Sequence, residues 1–211
     1  LMAKQLFRKS TLALIGAFLL AADAMHFTQS RFATLDAIAV FFIMMMYLFM
    51  FRYAQMSFYH QKLWRTLLPL MLSGLMMGLA IAVKWIGIYG ALGLACIFFF
   101  TLWARLREYR YAKQNLRTLD MDGRRVAQRA VKQFARATVI TLFTCLIFFV
   151  AVPLAIYYFT YYWHMQPTGG LSVEKVWAAQ QAMFSYHSGP GLEHGFSSRA
   201  IEWPLIVKPM W

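Results

Sequence analysis

Long apolar stretches separated by short polar ones run through most of this chain. The apolar stretches span roughly Thr11–Ala22, Ala37–Phe51, Leu67–Val83, Ile86–Ala104 and Thr138–Tyr161. A helix needs about 20 apolar residues to cross the hydrocarbon core of a bilayer. Because some stretches are shorter than that, we expect the first to extend to about Phe27 and the second to begin near Phe32. The pattern predicts an all-α integral membrane protein with about five transmembrane helices.

A polar interruption divides the apolar region between Leu67 and Ala104. A single helix of roughly 38 residues would be about 57 Å long, whereas the hydrocarbon core is about 30 Å thick. The chain is therefore expected to turn inside this region. Residue types that suit a turn at the membrane surface occur together at Lys84, Trp85, Gly87 and Gly90. We predict two helices joined by a very short loop.

The composition agrees with a membrane location. Hydrophobic residues make up 61% of the 211 residues and charged residues 14%, whereas soluble domains are about 45–50% apolar. Cys96 and Cys145 both fall inside apolar stretches, where free cysteines behave as small apolar side chains. We therefore predict no disulfide and no cysteine metal site. The sequence shows no cleavable signal peptide.

The net charge of +13 is distributed unevenly between alternate loops. Sixteen of the 21 Lys and Arg residues fall before the first helix, after the second helix or within 105–137, and five fall in the intervening segments. Basic loops of membrane proteins usually face the cytoplasm. We therefore predict a protein of the bacterial plasma membrane, with a cytoplasmic N-terminus, a transmembrane region at 1–163 that includes the basic cytoplasmic loop 105–137, and an extracytoplasmic region at 164–211. The same distribution argues against nucleic acid as a partner.

The basic cytoplasmic loop is expected to be largely helical. Charged residues from Arg105 to Lys113 prolong the fourth apolar stretch past the lipid headgroups. Residues 120–123, Asp-Met-Asp-Gly, resemble a turn, and Arg124–Ala137 has the pattern of a basic amphipathic helix. Attraction to anionic lipid, worth about 1 kcal/mol for each basic residue near the surface, explains this charge more simply than a specific partner site.

The region around Arg31 is the first candidate for chemistry, because ionisable groups at a membrane rim usually face protein, cavity water or a charged ligand. A guanidinium group at this position would bind a lipid phosphate through two hydrogen bonds. The alternatives are a salt bridge to Asp23 or Asp36, or a side chain that only reaches towards the headgroups. The two carboxylates are candidates as structural partners, ligands or general bases. Lys84 would add a second phosphate contact or, again, only reach the interface.

The C-terminal tail differs from the apolar region before it. Pro153 is expected to kink the last apolar helix, and Gly169-Gly170 then breaks the chain. Ser172 is a candidate helix cap, and Val176–His187 is predicted to form a short helix followed by a lid or surface loop.

The usual signatures of soluble catalysis are absent from the sequence. His187 and His194 do not have a zinc-site spacing, so no metal site is predicted there. Ser197-Ser198 lies outside any nucleophile elbow, and no phosphate-binding glycine loop occurs. A nucleotide-driven reaction is therefore not expected, and any donor would come from the lipid phase.

Three blocks of the sequence together resemble the protein O-mannosyltransferases, glycosyltransferase family 39. The first is DAMHFTQSRFATLD at Asp23–Asp36, similar to a family segment in which an Arg precedes Leu-Asp. The second is VKWIGIY at Val83–Tyr89, similar to the family's Lys-Trp-x-Gly turn. The third resembles the family's outer-loop pattern and comprises Gln181–His187, His194, Ser197-Ser198, Trp203-Pro204, Lys208-Pro209 and Trp211. The blocks occur in family order and cover most of the chain.

The resemblance implies a multi-helix membrane glycosyltransferase of the GT-C type. Such enzymes take mannose from a polyprenyl-phosphate carrier and pass it to Ser or Thr hydroxyls of exported proteins. By the match, Arg31 would hold the donor phosphate and Lys84 would assist. The donor and acceptor cleft would be shaped by Asp23, Asp36, His187, His194, Ser197, Ser198 and Trp203. The implied partners are the lipid-linked donor, the acceptor protein and membrane lipids; no cofactor is firmly implied, and a divalent metal remains possible.

One departure from the family pattern concerns the catalytic base. The family places an Asp-Glu pair in its first outer loop, where the Asp is the expected base, and no Asp-Glu dipeptide occurs in this sequence. We therefore expect an internal fragment, truncated at both ends and inactive alone. Two alternatives remain: a sister transferase that moves another lipid-linked sugar onto lipid A or a wall glycan, and a transporter or membrane scaffold. A transporter would need polar residues at mid-bilayer depth, whereas the polar residues here gather at the outer rim.

Overall fold

The computed structural model describes residues 1–23, 27, 31, 34–57, 61–116 and 121–189, apart from the side chains at 122, 168 and 187. Every regular element in these residues is helical, which confirms the predicted all-α class. The α-helices are α1 (Met2–Phe7), α2 (Ser10–Ala22), α3 (Asp36–Ala54), α4 (Leu63–Val83), α5 (Gly87–Asn115), α6 (Met121–Leu146), α7 (Val152–Met165) and α8 (Val173–Ser188). A π-helix, Ile147–Ala151, joins α6 to α7, and a 3-10 helix, Gln166–Thr168, follows α7.

Four helical segments of the described chain are long and apolar enough to cross a membrane. They are α3, α4, α5 and the continuous segment Gly123–Met165. Helix α2 has 13 residues and is too short by itself. Its predicted extension to Phe27 falls mostly outside the described residues, although Phe27 is helical and donates its N–H to the carbonyl of Asp23 at 2.9 Å.

The chain divides into two compact units, Leu1–Thr160 and Tyr161–Trp211. Helices α1 to α6 and the π-helix lie within the first unit. Helix α8 lies within the second. The boundary predicted at 163/164 and the sidedness of the loops remain predictions.

Helices α3, α4 and α5 form the buried centre of the first unit. Met46, Met50 and Leu70 are among its fully buried side chains, so these two methionines of α3 serve as core packing. Ser73 donates its hydroxyl to the carbonyl of Met46 at 2.8 Å, both being buried. This bond fixes which residues of the antiparallel helices α3 and α4 lie opposite each other.

The contact between α4 and the π-helix brings two backbones close together. A Cβ at Gly74 would overlap the carbonyl oxygen of Phe148, and one at Gly78 would lie 3.0 Å from the Cα of Pro153. Small residues at this G-x-x-x-G spacing allow membrane helices to approach closely. Pro153 lacks an N–H and would clash with the carbonyl four residues earlier in a regular α-helix. The π-helical turn immediately before it is the irregularity expected at such a proline.

The turn between α4 and α5 confirms the predicted short loop. Only residues 84–86 separate the two helices, and the N–H of Gly87 bonds to the carbonyl of Lys84 at 3.0 Å. Gly87 is buried, and a Cβ there would lie 2.9 Å from the carbonyl carbon of Ala80. Gly90 was also expected in the turn, but it lies within α5, where its carbonyl accepts a hydrogen bond from Tyr47 at 3.0 Å. A Cβ at Gly90 would overlap the terminal methyl group of Met46, so the packing of α5 against α3, rather than a turn, favours a small residue there.

Helices α5 and α6 continue beyond the apolar stretches. With 29 residues, α5 is about 44 Å long, more than the hydrocarbon core requires. The predicted turn at 120–123 is wrong from Met121 onwards, because α6 already begins there and runs without a break into the apolar segment.

The second unit contains the predicted tail helix. Ser172 caps α8 by accepting a hydrogen bond from the N–H of Lys175 at 3.3 Å, as predicted. Gly169 and Gly170 have φ values of 88° and 89°, which explains why glycine occupies both positions. The helix begins three residues earlier than predicted, at Val173.

Candidate functional site

Two of the predicted site residues form an ion pair. Lys84 Nζ lies 2.6 Å from Asp36 Oδ1, and the two side chains are 49% and 46% exposed, respectively. Asp36 is the first residue of α3, and Lys84 directly follows the last residue of α4. The pair therefore joins the start of one helix to the end of its antiparallel neighbour.

The packing of α3 against α4 explains why these two residues meet. The Ser73–Met46 hydrogen bond sets the relative position of the two antiparallel helices. Asp36 lies about ten residues before Met46 and Lys84 about ten residues after Ser73, so both are at about the same distance from that bond and at the same end of the helix pair. A carboxylate in the first turn also interacts favourably with the positive end of the helix dipole. An exposed ion pair of this kind contributes only about 0–1 kcal/mol to stability, so its position matters more than its strength.

The ammonium group of Lys84 retains capacity for a ligand. An ammonium group has three N–H donors, and one hydrogen bond from Lys84, to Asp36, is described. The side chain is half exposed, so an anion can reach it. Asp36 thus orients the ammonium group and offsets part of its charge without enclosing it.

Trp85 anchors the same turn to a different helix. Its indole N–H donates to the hydroxyl of Tyr157 on α7 at 2.8 Å, and both side chains are half-buried. The sequence analysis did not predict this bond. The sequence contains only a general indication of this bond, because an indole N–H removed from water usually has a hydrogen-bond partner.

Arg31 is helical and exposed, and it contacts an aromatic ring. Its guanidinium carbon lies 4.8 Å from the ring centroid of Phe27, four residues earlier. In the described part of the chain Arg31 forms no ion pair with Asp23 or Asp36, so the predicted alternative of a salt bridge is not seen there. Arg31 lies five positions before Asp36, which limits the distance between their Cα atoms to about 18 Å. Arg31 therefore belongs to the same end of the helices as the Lys84 pair.

The other predicted site residues are less fully described. Asp23 follows the last residue of α2, and its side chain is exposed. The backbone of His187 lies in α8, but its side chain is outside the described set. The remaining predicted cleft residues lie outside the described residues altogether: His194, Ser197, Ser198 and Trp203. Within the described residues, no group of three or more His, Cys, Asp or Glu side chains forms a candidate metal site.

Arg105 is the charged residue whose role the sequence analysis missed. It was expected on an exposed helical extension but is only 3% exposed. Its guanidinium donates to the hydroxyl and, at 3.2 Å, to the carbonyl of Tyr53, and to the carbonyl of Met56 at 2.9 Å. These groups belong to the C-terminal end of α3, where a cation is favoured. The signal was its spacing, since Arg105 lies on the same stripe of α5 as buried Leu94 and Phe98.

A separate apolar cavity lies inside the first unit. It has a volume of about 390 Å³ and is lined by side chains of α3, α4, α5, α6 and the π-helix, including Met50, Met77 and Phe98. None of the predicted site residues lines it. The cavity is lined by apolar side chains, whereas the Lys84–Asp36 pair lies at the helix ends.

Comparison with protein families decides the relationship. The chain matches the family model described as dolichyl-phosphate-mannose-protein mannosyltransferase over residues 1–167. The chain belongs to this family. It is accordingly a member of a mannosyltransferase-type family of membrane glycosyltransferases. The match to the mannosyltransferase family includes Asp23, Arg31, Asp36 and Lys84 but ends before α8. Searches among curated proteins and among solved structures gave no significant match.

Proposed function

We propose that this chain belongs to an enzyme that transfers mannose from a polyprenyl-phosphate carrier to Ser or Thr hydroxyls of exported proteins. Arg31 and Lys84 hold the phosphate of the donor at the outer end of the helices. The observation that supports this assignment best is the Lys84–Asp36 pair, which presents a half-exposed ammonium group beside the segment that contains Arg31.

The electrostatics of the reaction favour fixed cations at this position. When the sugar leaves, negative charge grows on the carrier phosphate, and cations already held in place stabilise that charge. Helices α3 and α5 both begin near this end, and helix N-termini carry partial positive charge that attracts phosphate. Lys84 lies between them in the chain, one residue beyond α4.

We assign Asp36 a positioning role rather than that of general base. Its carboxylate is engaged by Lys84 at 2.6 Å, so it holds the ammonium group in place. No Asp-Glu dipeptide occurs in the sequence. We therefore propose that the base comes from a segment outside these 211 residues and that the 211-residue chain alone does not transfer sugar.

Substitution of Arg31 tests the proposal in the longer protein that contains this chain. Arg31→Ala is expected to lower mannosyl transfer by about 100-fold or more, because a fixed cation at the leaving phosphate is lost. Arg65→Ala is a matched control, since Arg65 is exposed and lies 5.5 Å from the ring centroid of Trp64 in a similar contact. Transfer is measured with radiolabelled polyprenyl-phosphate mannose and a Ser/Thr peptide, and membrane insertion is checked by carbonate extraction.

Three results of that experiment would count against the proposal. Full activity of Arg31→Ala removes this residue from the donor site. Equal losses in Arg31→Ala and Arg65→Ala indicate a general effect of removing surface charge. Transfer of another lipid-linked sugar to lipid A or a wall glycan, with none to the peptide, replaces the proposed donor and acceptor with those of a sister transferase.

We further propose that the N-terminus is cytoplasmic and that the second unit is extracytoplasmic. In a background without Cys96 and Cys145, Gln166→Cys should react with an impermeant thiol reagent added to intact cells. Gln128→Cys, a matched and equally exposed Gln on α6, should react only after lysis. Labelling of position 128 in intact cells, with none at 166, would reverse the topology.

A further inference from the structure

The ends of α5 and α6 that extend beyond the apolar segments pack together as a two-helix arm, here called the basic arm (residues 105–116 and 121–137). The ring of Tyr109 stacks on that of Phe134 with centroids 4.5 Å apart. Alanines occupy the rest of the buried contact, with Ala112, Ala127 and Ala130 no more than 6% exposed. The arm therefore has a defined inner face made of small and aromatic residues.

Helical periodicity separates this inner face from the charged one. On α6, buried Ala127 and Ala130 and half-buried Phe134 recur every three or four residues. A second stripe on the opposite side of the same helix is basic and exposed: Arg125, Arg129, Lys132 and Arg136. The corresponding outer stripe of α5 holds Arg107, Arg110 and Lys113.

The charge of the arm has one predominant sign. Residues 105–136 contain ten basic and three acidic residues, a net charge of +7. Among the described side chains of the arm, Glu108 is the one carboxylate, and no ion pair joins it to either basic stripe. Buried Arg105 is used within the fold, and seven of the other nine basic residues lie in the two exposed stripes.

The basic arm begins directly where the apolar segments end. The guanidinium carbon of Arg107 lies 5.0 Å from the ring centroid of Trp103, which is 54% exposed and of a type that marks the interface. On α6 the charge stops at Arg136, and an apolar run starts two residues later. Arg107 and Arg136 thus lie within about one helical turn of the apolar segments, comparable to the Debye length of about 8 Å in physiological salt.

We propose that the two basic stripes form a binding surface for anionic phospholipid headgroups. Phosphate-bearing headgroups are the anions that surround this part of the arm at the highest local density, since both helices continue directly into membrane spans. The stripes offer spread positive charge rather than an enclosed pocket. The binding affinity therefore depends on the number of positive charges and on the salt concentration. Lys and Arg side chains are expected to contribute equally.

The experiment uses the full 211-residue chain in detergent micelles. Retention of phosphatidylglycerol and of phosphatidylcholine is measured by native mass spectrometry while each lipid is titrated. The variant carries Arg125→Gln, Arg129→Gln, Lys132→Gln and Arg136→Gln. The matched control removes the same charge from exposed positions elsewhere, with Lys4→Gln, Lys9→Gln, Lys62→Gln and Arg65→Gln.

Wild type should prefer phosphatidylglycerol, and added salt should reduce that preference. The arm variant should lose about fivefold in affinity for each charge removed at low salt, with phosphatidylcholine retention unchanged and a smaller loss in the control. A second variant, with Arg125→Lys, Arg129→Lys and Arg136→Lys, should bind like wild type.

Several outcomes would overturn the proposal. They are wild-type affinity in the Gln arm variant, an equal loss in the control, and wild-type phosphatidylglycerol retention that salt does not change. Displacement of the lipid by RNA or an acidic peptide at comparable concentration would assign the surface to a different partner. The salt titration of wild type decides the question even if a variant fails to fold.

Discussion

Two cations at opposite ends of the α3–α5 bundle have different surroundings. Arg105, near the predicted cytoplasmic end, is 3% exposed and donates to a phenol and two backbone carbonyls. Lys84, at the other end, is 49% exposed and donates to one carboxylate. A buried guanidinium must use its donors within the protein, because an unpaired buried polar group is costly. The half-exposed ammonium group has no such requirement.

This difference separates a structural cation from a candidate ligand-binding one. Arg105 stabilises the C-terminal end of α3 and connects it to α5. Lys84 is positioned by a single partner and remains accessible. Charge alone did not distinguish them, since both are basic residues next to an apolar helix; burial and the number of partners do.

Replacement of Arg105 should give the largest loss of stability. Arg105→Gln leaves the Tyr53 hydroxyl and two carbonyls at the end of α3 with incomplete hydrogen bonding, which we expect to cost about 3 kcal/mol in free energy of unfolding. Arg107→Gln is the control, since Arg107 is exposed on the same helix and contacts Trp103; its cost should stay below about 1 kcal/mol. Unfolding of the purified chain in mixed micelles measures both. Equal stabilities of the two variants would contradict the structural role of Arg105.

The bond between Trp85 and Tyr157 should have an intermediate effect. Trp85→Phe and Tyr157→Phe each remove a hydrogen bond of 2.8 Å while keeping most of the ring packing. We expect each to cost about 1 kcal/mol, and the double variant to cost little more than either single one. In the proposed mannosyltransferase, each single variant should also raise donor KM, since the bond fixes the turn that carries Lys84. Additive single-variant effects would show that the two side chains act independently.

The elements of the fold were largely predictable, whereas their contacts were not. The apolar runs located α3, α4 and α5, and the charge interruption at Lys84-Trp85 located the turn, because both depend on the bilayer's thickness. The burial of Arg105 depends on which helix lies alongside it, because its partners belong to α3 and the residues that follow it. The type of residue at one position does not show which helix packs against it. The spacing of Arg105 from buried Leu94 and Phe98 on α5 did indicate that its side chain faces the core.

The sequence named Asp36 and Lys84 as candidate site residues but did not predict that they pair, and their role in a site stays a prediction. Position next to the ends of apolar helices singled out Arg31, Asp36 and Lys84, since charge is expensive near hydrocarbon. That Lys84 pairs with Asp36, and that Arg31 contacts Phe27, follows from side-chain directions set by helix packing.

The smallest effect on stability is expected at the Lys84–Asp36 pair itself, where function should respond more than folding. Lys84→Gln and Asp36→Asn should each change the free energy of unfolding by less than about 1 kcal/mol, because the pair is half exposed and screened. In the proposed mannosyltransferase, Lys84→Gln should raise donor KM by losing a phosphate contact. Asp36→Asn should have a milder effect, because the cation remains although its position is less fixed. The reverse order, with Asp36→Asn abolishing transfer at unchanged donor KM and Lys84→Gln nearly neutral, would make the carboxylate the reacting group and Lys84 its support.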